Sequence, residues 1–237
     1  MDRLLGSGAQ GHVFSTIDPT GCFLKQYADS ADHQAELTIL QQLRGLDGVP
    51  SVLASTSDVP CAILCRPIGV SLSLKRGDVA FLSEIAKGCV CVLQNIHEKQ
   101  IVHRDLRLSN ILAHSDDVYG VLIVDWASAV NVADAPNQAY QGAVHFAADA
   151  VLTALSADPV ARHVHYQPQD DLECLVKTMF AAMFLEYVKD LVSVSRLDFD
   201  GTRQFWCKCA ASHPTLRALL AAARACDYDL LVSLYTI

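Results

Sequence analysis

Near its start the chain reads Gly6-Ser7-Gly8-Ala9-Gln10-Gly11-His12-Val13. Glycines at this spacing let a turn approach phosphate groups closely and aim backbone N–H donors at them. A strand resumes at Val13-Phe14 where a dinucleotide-binding turn would pass into a helix, so that reading is disfavoured. An ordinary glycine hairpin has the same pattern, and other residues must give the turn its meaning. Lys25 lies inside the apolar run Cys22-Phe23-Leu24-Lys25, where a lysine is most often a solvated edge residue. Glu36 changes that. On a helix beginning at Asp32 it aligns with Ile39, Leu40 and Leu43, on the apolar face, where an unpaired carboxylate is costly. Lys25 is the nearest upstream cation, and the pair would hold an ammonium over the α- and β-phosphates of a nucleotide. Asp125 closes the apolar run Val121–Val124 and would stand at a sheet edge, where a metal can sit.

The most specific segment is Ile101-Val102-His103-Arg104-Asp105-Leu106-Arg107-Leu108-Ser109-Asn110. It resembles the catalytic loop H-R-D-L-x-x-x-N of eukaryotic protein kinases. The resemblance implies that Asp105 accepts or orients the proton of a substrate hydroxyl and that Asn110 binds magnesium. Asp125, in Asp-Trp-Ala, takes the D-F-G position and implies a second metal ligand, with Ala127 restricting the backbone where glycine is usual. Gly6, Ser7, Gly8, Gly11 and Val13 become the loop over ATP, and Lys25 with Glu36 the ion pair beneath it. Leu64–Gly69 becomes the hinge, with Cys65 as gatekeeper beside adenine. Arg107 stands where Ser/Thr kinases more often carry lysine; it keeps the charge but not the geometry.

Two departures fall between Asp125 and Leu152. Ala143, in Gly142-Ala143-Val144-His145-Phe146, lacks the hydroxyl usual in the substrate-docking segment, and Ala148-Asp149-Ala150 replaces A-P-E, removing the glutamate of a structural ion pair. Sixteen residues separate Asp125 from Gly142, and the segment holds Ser128 and Tyr140 but no threonine, so control by loop phosphorylation is poorly supported. Asp170-Asp171-Leu172-Glu173-Cys174-Leu175 is similar to the D-D-L-E-S-L of casein kinase 1, which implies that Asp171 bonds the catalytic-loop backbone. Asp227-Tyr228-Asp229-Leu230 resembles the D-Y-x-x-L close of the same group.

These residues need elements to hold them. Leu4–Gly6, His12–Ile17, Gly21–Tyr27, Val52–Leu53 and Ala62–Cys65 read as short strands, with one helix from Asp32 to Leu43. Asp78 is a good N-cap for a long amphipathic helix to His97, with Leu82, Ile85, Ala86, Cys89, Leu93 and Ile96 as its apolar stripe. Asn110–Ala113 and Val121–Val124 form a hairpin about the turn His114–Tyr119. After Leu152 the pattern is helical to the end, broken near Pro159, Pro168, Gly201 and Pro214, with a buried helix over Cys174–Val188. The fold expected is α+β and bilobal: a single kinase-like domain over 1–237, with a strand-rich N-lobe to about 69 and a mainly helical C-lobe from about 70.

Composition sets the remaining limits. Over 237 residues, 51% hydrophobic content suffices for a large core, and 19% charged content is globular. A net charge of −8 argues against a nucleic-acid partner. The opening Met-Asp-Arg-Leu-Leu-Gly has no apolar signal region, and the Cys174–Val188 run is too short to span a membrane. The nine cysteines lack zinc-finger spacing and read as free thiols. The expectation is an intracellular monomer, cytoplasmic or nuclear. It uses ATP and Mg2+ to phosphorylate Ser/Thr hydroxyls of proteins, with tyrosine kept open by Arg107. A pseudokinase scaffold is the alternative; a small-molecule phosphotransferase is disfavoured by His-Arg-Asp in place of H-G-D.

Overall fold

The computed structural model describes residues 3–8, 11–114, 120–133, 138–158 and 163–236. Ala9 and Gln10 of the glycine-rich turn, residues 115–119 of the expected hairpin turn and Pro159 lie outside them. The first elements are β1 (Arg3–Gly8), β2 (Gly11–Ser15), β3 (Phe23–Tyr27), α1 (Ser30–Gln42), β4 (Ser51–Thr56) and β5 (Ala62–Arg66). The five strands form one antiparallel sheet in the order β1-β2-β3-β5-β4, with α1 inserted after β3 and packed against the sheet. α1 begins at Ser30, two residues before the expected start at Asp32, and Asp29 caps it, its carboxylate accepting from the Ala31 amide at 2.8 Å.

Then follow β6 (Gly69–Ser71), α2 (Val79–Glu98), β7 (Ile101–Val102), β8 (Ile111–His114), β9 (Val121–Ile123), β10 (Val130–Asn131) and β11 (Gln138–Ala139). Asp78 caps α2 as expected, accepting from the Phe81 amide at 3.1 Å. The predicted stripe from Leu82 to Ile96 is fully buried. Each of its Leu and Ile side chains contributes roughly 1.5–3 kcal/mol relative to exposure. By length and composition α2 is apolar enough to cross a bilayer, but that face is packed into the core against α4 and α8. β6, β8 and β9 make a small antiparallel sheet, and β7 pairs with β10. This places the 103–110 loop and Asp125 side by side at the ends of β7 and β9.

The chain closes with α3 (Asp149–Ala157), β12 (His163–Val164), α4 (Pro168–Met183), α5 (Glu186–Ser193), α6 (Phe199–Ser212), α7 (Pro214–Arg224) and α8 (Tyr228–Leu234). The architecture is α+β, strands early and helices late. Three expectations are corrected. β12 pairs with β11 inside the region read as helical, a two-residue pairing too short for any period to reveal. The helix over Cys174–Val188 is two helices, broken at Phe184-Leu185. Phe184 leaves the helix to pack on Phe180, with ring centroids 4.8 Å apart, and to stack on His213. Gly201 does not break α6 but sits in its first turn, donating its amide to the Asp198 cap at 2.7 Å. A Cβ there would meet that carboxylate at 2.2 Å.

Candidate active site

Glu36 finds the cation its position demanded. Lys25 Nζ lies 2.5 Å from Glu36 Oε2 and 2.6 Å from Asp125 Oδ1, so one ammonium joins β3, α1 and the residue after β9. Glu36 is 5% exposed and Asp125 29%. Burial alone lowers the pKa of Lys25, but the charges of Glu36 and Asp125 outweigh it and hold the ammonium above its ordinary value. Burial likewise works to raise that of Asp125, and Lys25 overrides it, keeping the carboxylate ionised below its usual range. The second oxygen of Glu36 accepts the Trp126 amide at 3.1 Å. Sequence reading missed this bond because a backbone amide leaves no mark on residue type.

Asp125 holds a left-handed backbone, φ 71°, which turns it out of the strand direction and starts the tight turn Trp126–Ser128. Trp126 is fully buried, donates Nε1–H to Ile123 O at 2.9 Å and sets its edge on His103 at 4.6 Å. Ala127, where glycine is usual, is buried in that turn.

Asp105 is oriented by donors from three directions. Asn110 Nδ2 donates to its Oδ2 at 3.1 Å and to its backbone carbonyl at 2.9 Å. Arg107 Nε reaches Oδ2 at 3.0 Å, and the Ala143 amide donates to Oδ1 at 3.0 Å. Position 143, without a hydroxyl, thus reaches Asp105 through its backbone N–H. Gly142 makes this possible: at φ 149° a Cβ would sit 2.5 Å from Arg104 O. Beneath the loop, Asp171 accepts the His103 amide at 2.6 Å and the Arg104 amide at 2.8 Å. His97 Nε2 lies 3.2 Å from the same carboxylate. His97 was not singled out from sequence, although it lies four residues after Leu93 on the apolar stripe. Arg104 faces inward, its guanidinium 4.4 Å over the Tyr166 ring and bonded to Ala139 O.

The nucleotide-side residues divide. Val13 lies opposite Lys25 in the β2–β3 register, and Cys65 opposite Phe23 in the β3–β5 register, so Val13, Lys25 and Cys65 share one face of the sheet. Burial, then Glu36, pushes the Cys65 thiol up to about 12, keeping it neutral. Gly6, Ser7 and Gly8 stand on β1, the edge strand two removed from β3, and no bond joins them to the Lys25 cluster. A Cβ at Gly6 or Gly8 would meet nothing within 4 Å. Among the described residues nothing crowds either position. Gly11 has a structural duty as well, since a Cβ there would meet Gln26 O at 1.9 Å.

Among the described residues no group of three or more His, Cys, Asp or Glu could close a metal site. Asp125 and Asn110 nevertheless suit magnesium, which takes hard oxygen donors and is held by few protein ligands together with water and phosphate. Asp125 offers a partly exposed ionised carboxylate. Asn110 Nδ2 is turned to Asp105, while Oδ1 accepts a Ser109 hydroxyl at 3.2 Å.

Around Ala148-Asp149-Ala150, where the expected glutamate is missing, other ion pairs join the neighbouring helices. Arg203 pairs with Asp149 at 3.0 Å, joining α6 to α3, and Arg224 takes Glu173 in two bonds at 2.9 and 3.1 Å. Glu173 also holds Lys177 at 2.8 Å and the Asp149 amide at 2.9 Å.

Residues 74–172 match the family model of the protein kinase domain. The match takes in Asp105, Arg107, Asn110, Asp125 and Asp171 but not the glycine-rich turn, Lys25 or Glu36. No curated protein matches the chain. With the α+β architecture, the match makes the fold kinase-like and supports a kinase-type phosphotransfer function.

Proposed function

We propose that the chain transfers the terminal phosphoryl group of ATP to Ser/Thr hydroxyls of protein substrates. The observation that carries this reading is Lys25 bridging Glu36 and Asp125, which gathers a phosphate-binding cation and a metal-binding acid from three separate elements. With nucleotide bound, the Lys25 ammonium would turn part of its charge to the α- and β-phosphates while Glu36 keeps it in place. Magnesium, held by Asp125 and Asn110, would neutralise phosphate charge and fix the geometry of the leaving group. Asp105 would accept or orient the hydroxyl proton, its carboxylate kept in one orientation by Asn110 and the Ala143 amide. Arg107, half-exposed beside Asp105, would meet the transferring phosphoryl group. The short segment between Asp125 and Gly142 and the casein-kinase-1-like helix support Ser/Thr over tyrosine.

One observation favours a scaffold without transfer: Lys25 already occupies an Asp125 oxygen, so a metal must compete with the ammonium. Transfer from γ-labelled ATP to a mixed protein substrate with magnesium decides between them. Wild type should label Ser/Thr, and Asp105→Asn should lower the rate by roughly 10²–10⁴. Equal inertness of both, with nucleotide still raising the melting temperature, would establish the scaffold. Label on tyrosine alone, or on small-molecule hydroxyls alone, would overturn the substrate class.

A further inference from the structure

The bonds that fix the catalytic loop do not end at Asp171. This residue is 1% exposed and accepts the two loop amides together with His97 Nε2. The far nitrogen of the same ring, Nδ1, lies 2.8 Å from the hydroxyl of Tyr228, the first residue of α8. The rings are 6.0 Å apart and tilted by 53°, so the contact is through the hydroxyl and not through stacking. A side chain 131 positions from His97, near the end of the described chain, thus reaches the support of the loop.

The proton positions follow from the chemistry of the groups. Burial disfavours charge on Asp171, but the hydrogen bond from His97 and those from the loop amides keep it ionised below the usual carboxylate range. A carboxylate only accepts, so Nε2 must carry a proton. Burial pushes the Tyr228 phenol up, so it retains its O–H. That O–H, donated to Nδ1, complements the Nε2–H form and works against the alternative tautomer, in which Nε2 would present a lone pair to the carboxylate.

We propose that Tyr228 is a positioning residue for phosphotransfer: its hydroxyl fixes the tautomer of His97, and His97 then holds Asp171 onto the amides of His103 and Arg104, next to Asp105. The positioning role rests on the phosphotransfer reading; the chain of hydrogen bonds does not. It also gives a task to the Asp-Tyr-x-x-Leu segment, which the proposed reaction leaves unused.

Tyr228→Phe removes one hydroxyl and keeps the ring. Imidazole 15N spectra should change from a single Nε2–H tautomer for His97 to a mixture. Amide exchange at His103 and Arg104 should lose protection by roughly 2- to 10-fold, the value of one hydrogen bond, while amides in the middle of α4 keep theirs. The kcat should fall by a similar factor at unchanged KM for ATP. Leu231→Val, which thins the buried face of the same helix, controls for loosened packing and should leave tautomer and loop exchange as in wild type. An unchanged tautomer or unchanged exchange at 103 and 104 in Tyr228→Phe would overturn the proposal. So would the same changes in Leu231→Val. If wild type transfers no phosphate, the phosphotransfer reading fails by itself, and the spectra and exchange still decide whether Tyr228 sets the loop.

Discussion

Replacing Lys25 by Met keeps the length and most of the apolar stem of the side chain but leaves Glu36 and Asp125 without their shared cation. Removing one partner of a buried pair costs about 3–5 kcal/mol, most of it the price of a charge left uncompensated. Glu36, 5% exposed, carries most of that cost here, whereas Asp125, 29% exposed, can recover part of its hydration. The expected loss is therefore near the lower end, about 3 kcal/mol at pH 8. For a chain of this length that corresponds to a melting temperature lower by roughly 6–12 °C. The loss should depend on pH with a defined sign. In wild type the depressed pKa of Asp125 adds stability above its unfolded value, and this is lost as pH falls through the folded value. Without Lys25 the burial of Asp125 is opposed only by the charges of His103 and Arg107, its folded pKa rises, and the variant loses less stability than wild type as pH falls. Urea unfolding of both proteins from pH 8 to pH 4.5 should show the gap narrowing steadily toward acid. A gap that is constant over this range, or a Lys25→Met protein as stable as wild type at pH 8, would refute the electrostatic account of the cluster.

Gly142→Ala places a Cβ against Arg104 O, and the backbone must shift to relieve it. Phosphotransfer should fall by at least tenfold as the Ala143 amide leaves Asp105, with stability reduced by about 1–3 kcal/mol; normal kinetics in this variant would show that the amide is dispensable. Burial pushes Asp170 up to about 7, against the Gln167 amide that lowers it. A carboxyl with a raised folded pKa stabilises most below its unfolded value, near 4, and that contribution disappears as pH rises toward 7. Asp170→Asn keeps an acceptor for the Gln167 amide but cannot titrate. The stability difference between wild type and this variant, followed by chemical denaturation from pH 4 to pH 8, should move against wild type as pH rises; a flat difference would contradict the shift.

The parts of this site that could be read from sequence are those where a residue type conflicts with its position. Glu36 on an apolar stripe demanded a cation, and Lys25, which alone reads as a solvated edge residue, was the nearest upstream one, so the pair was legible from the sequence. Asp78 ahead of an amphipathic run announced the start of α2. What escaped was carried by backbone groups or by long-range packing. The Ala143 and Trp126 amides have no letter of their own. The Glu173–Arg224 pair spans 51 positions between two helices whose approach is set by the whole core. Phe184 leaves a helical pattern because an aromatic cluster outside its own segment pulls it away.

Backbone strain bears on whether the cleft is built for chemistry. Among the described residues four that are not glycine hold positive φ: Gln100, Arg104, Asp125 and Cys226. Gln100 and Cys226 follow the ends of α2 and α7, where a left-handed residue is an ordinary way to stop a helix. No helix end accounts for Arg104 or Asp125. Each such residue costs about 1–2 kcal/mol, and each adjoins a group of the proposed reaction: Arg104 precedes Asp105, and Asp125 is itself the proposed metal ligand. The fold sustains the cost with Asp171 on the Arg104 amide and Lys25 on the Asp125 carboxylate. A scaffold that only bound nucleotide would have little use for strain beside Asp105, which need not touch the nucleotide at all. Together with the Ala143 amide on Asp105 and the ion pairs of Asp149 and Glu173, this supports the proposed transfer reading over the scaffold one.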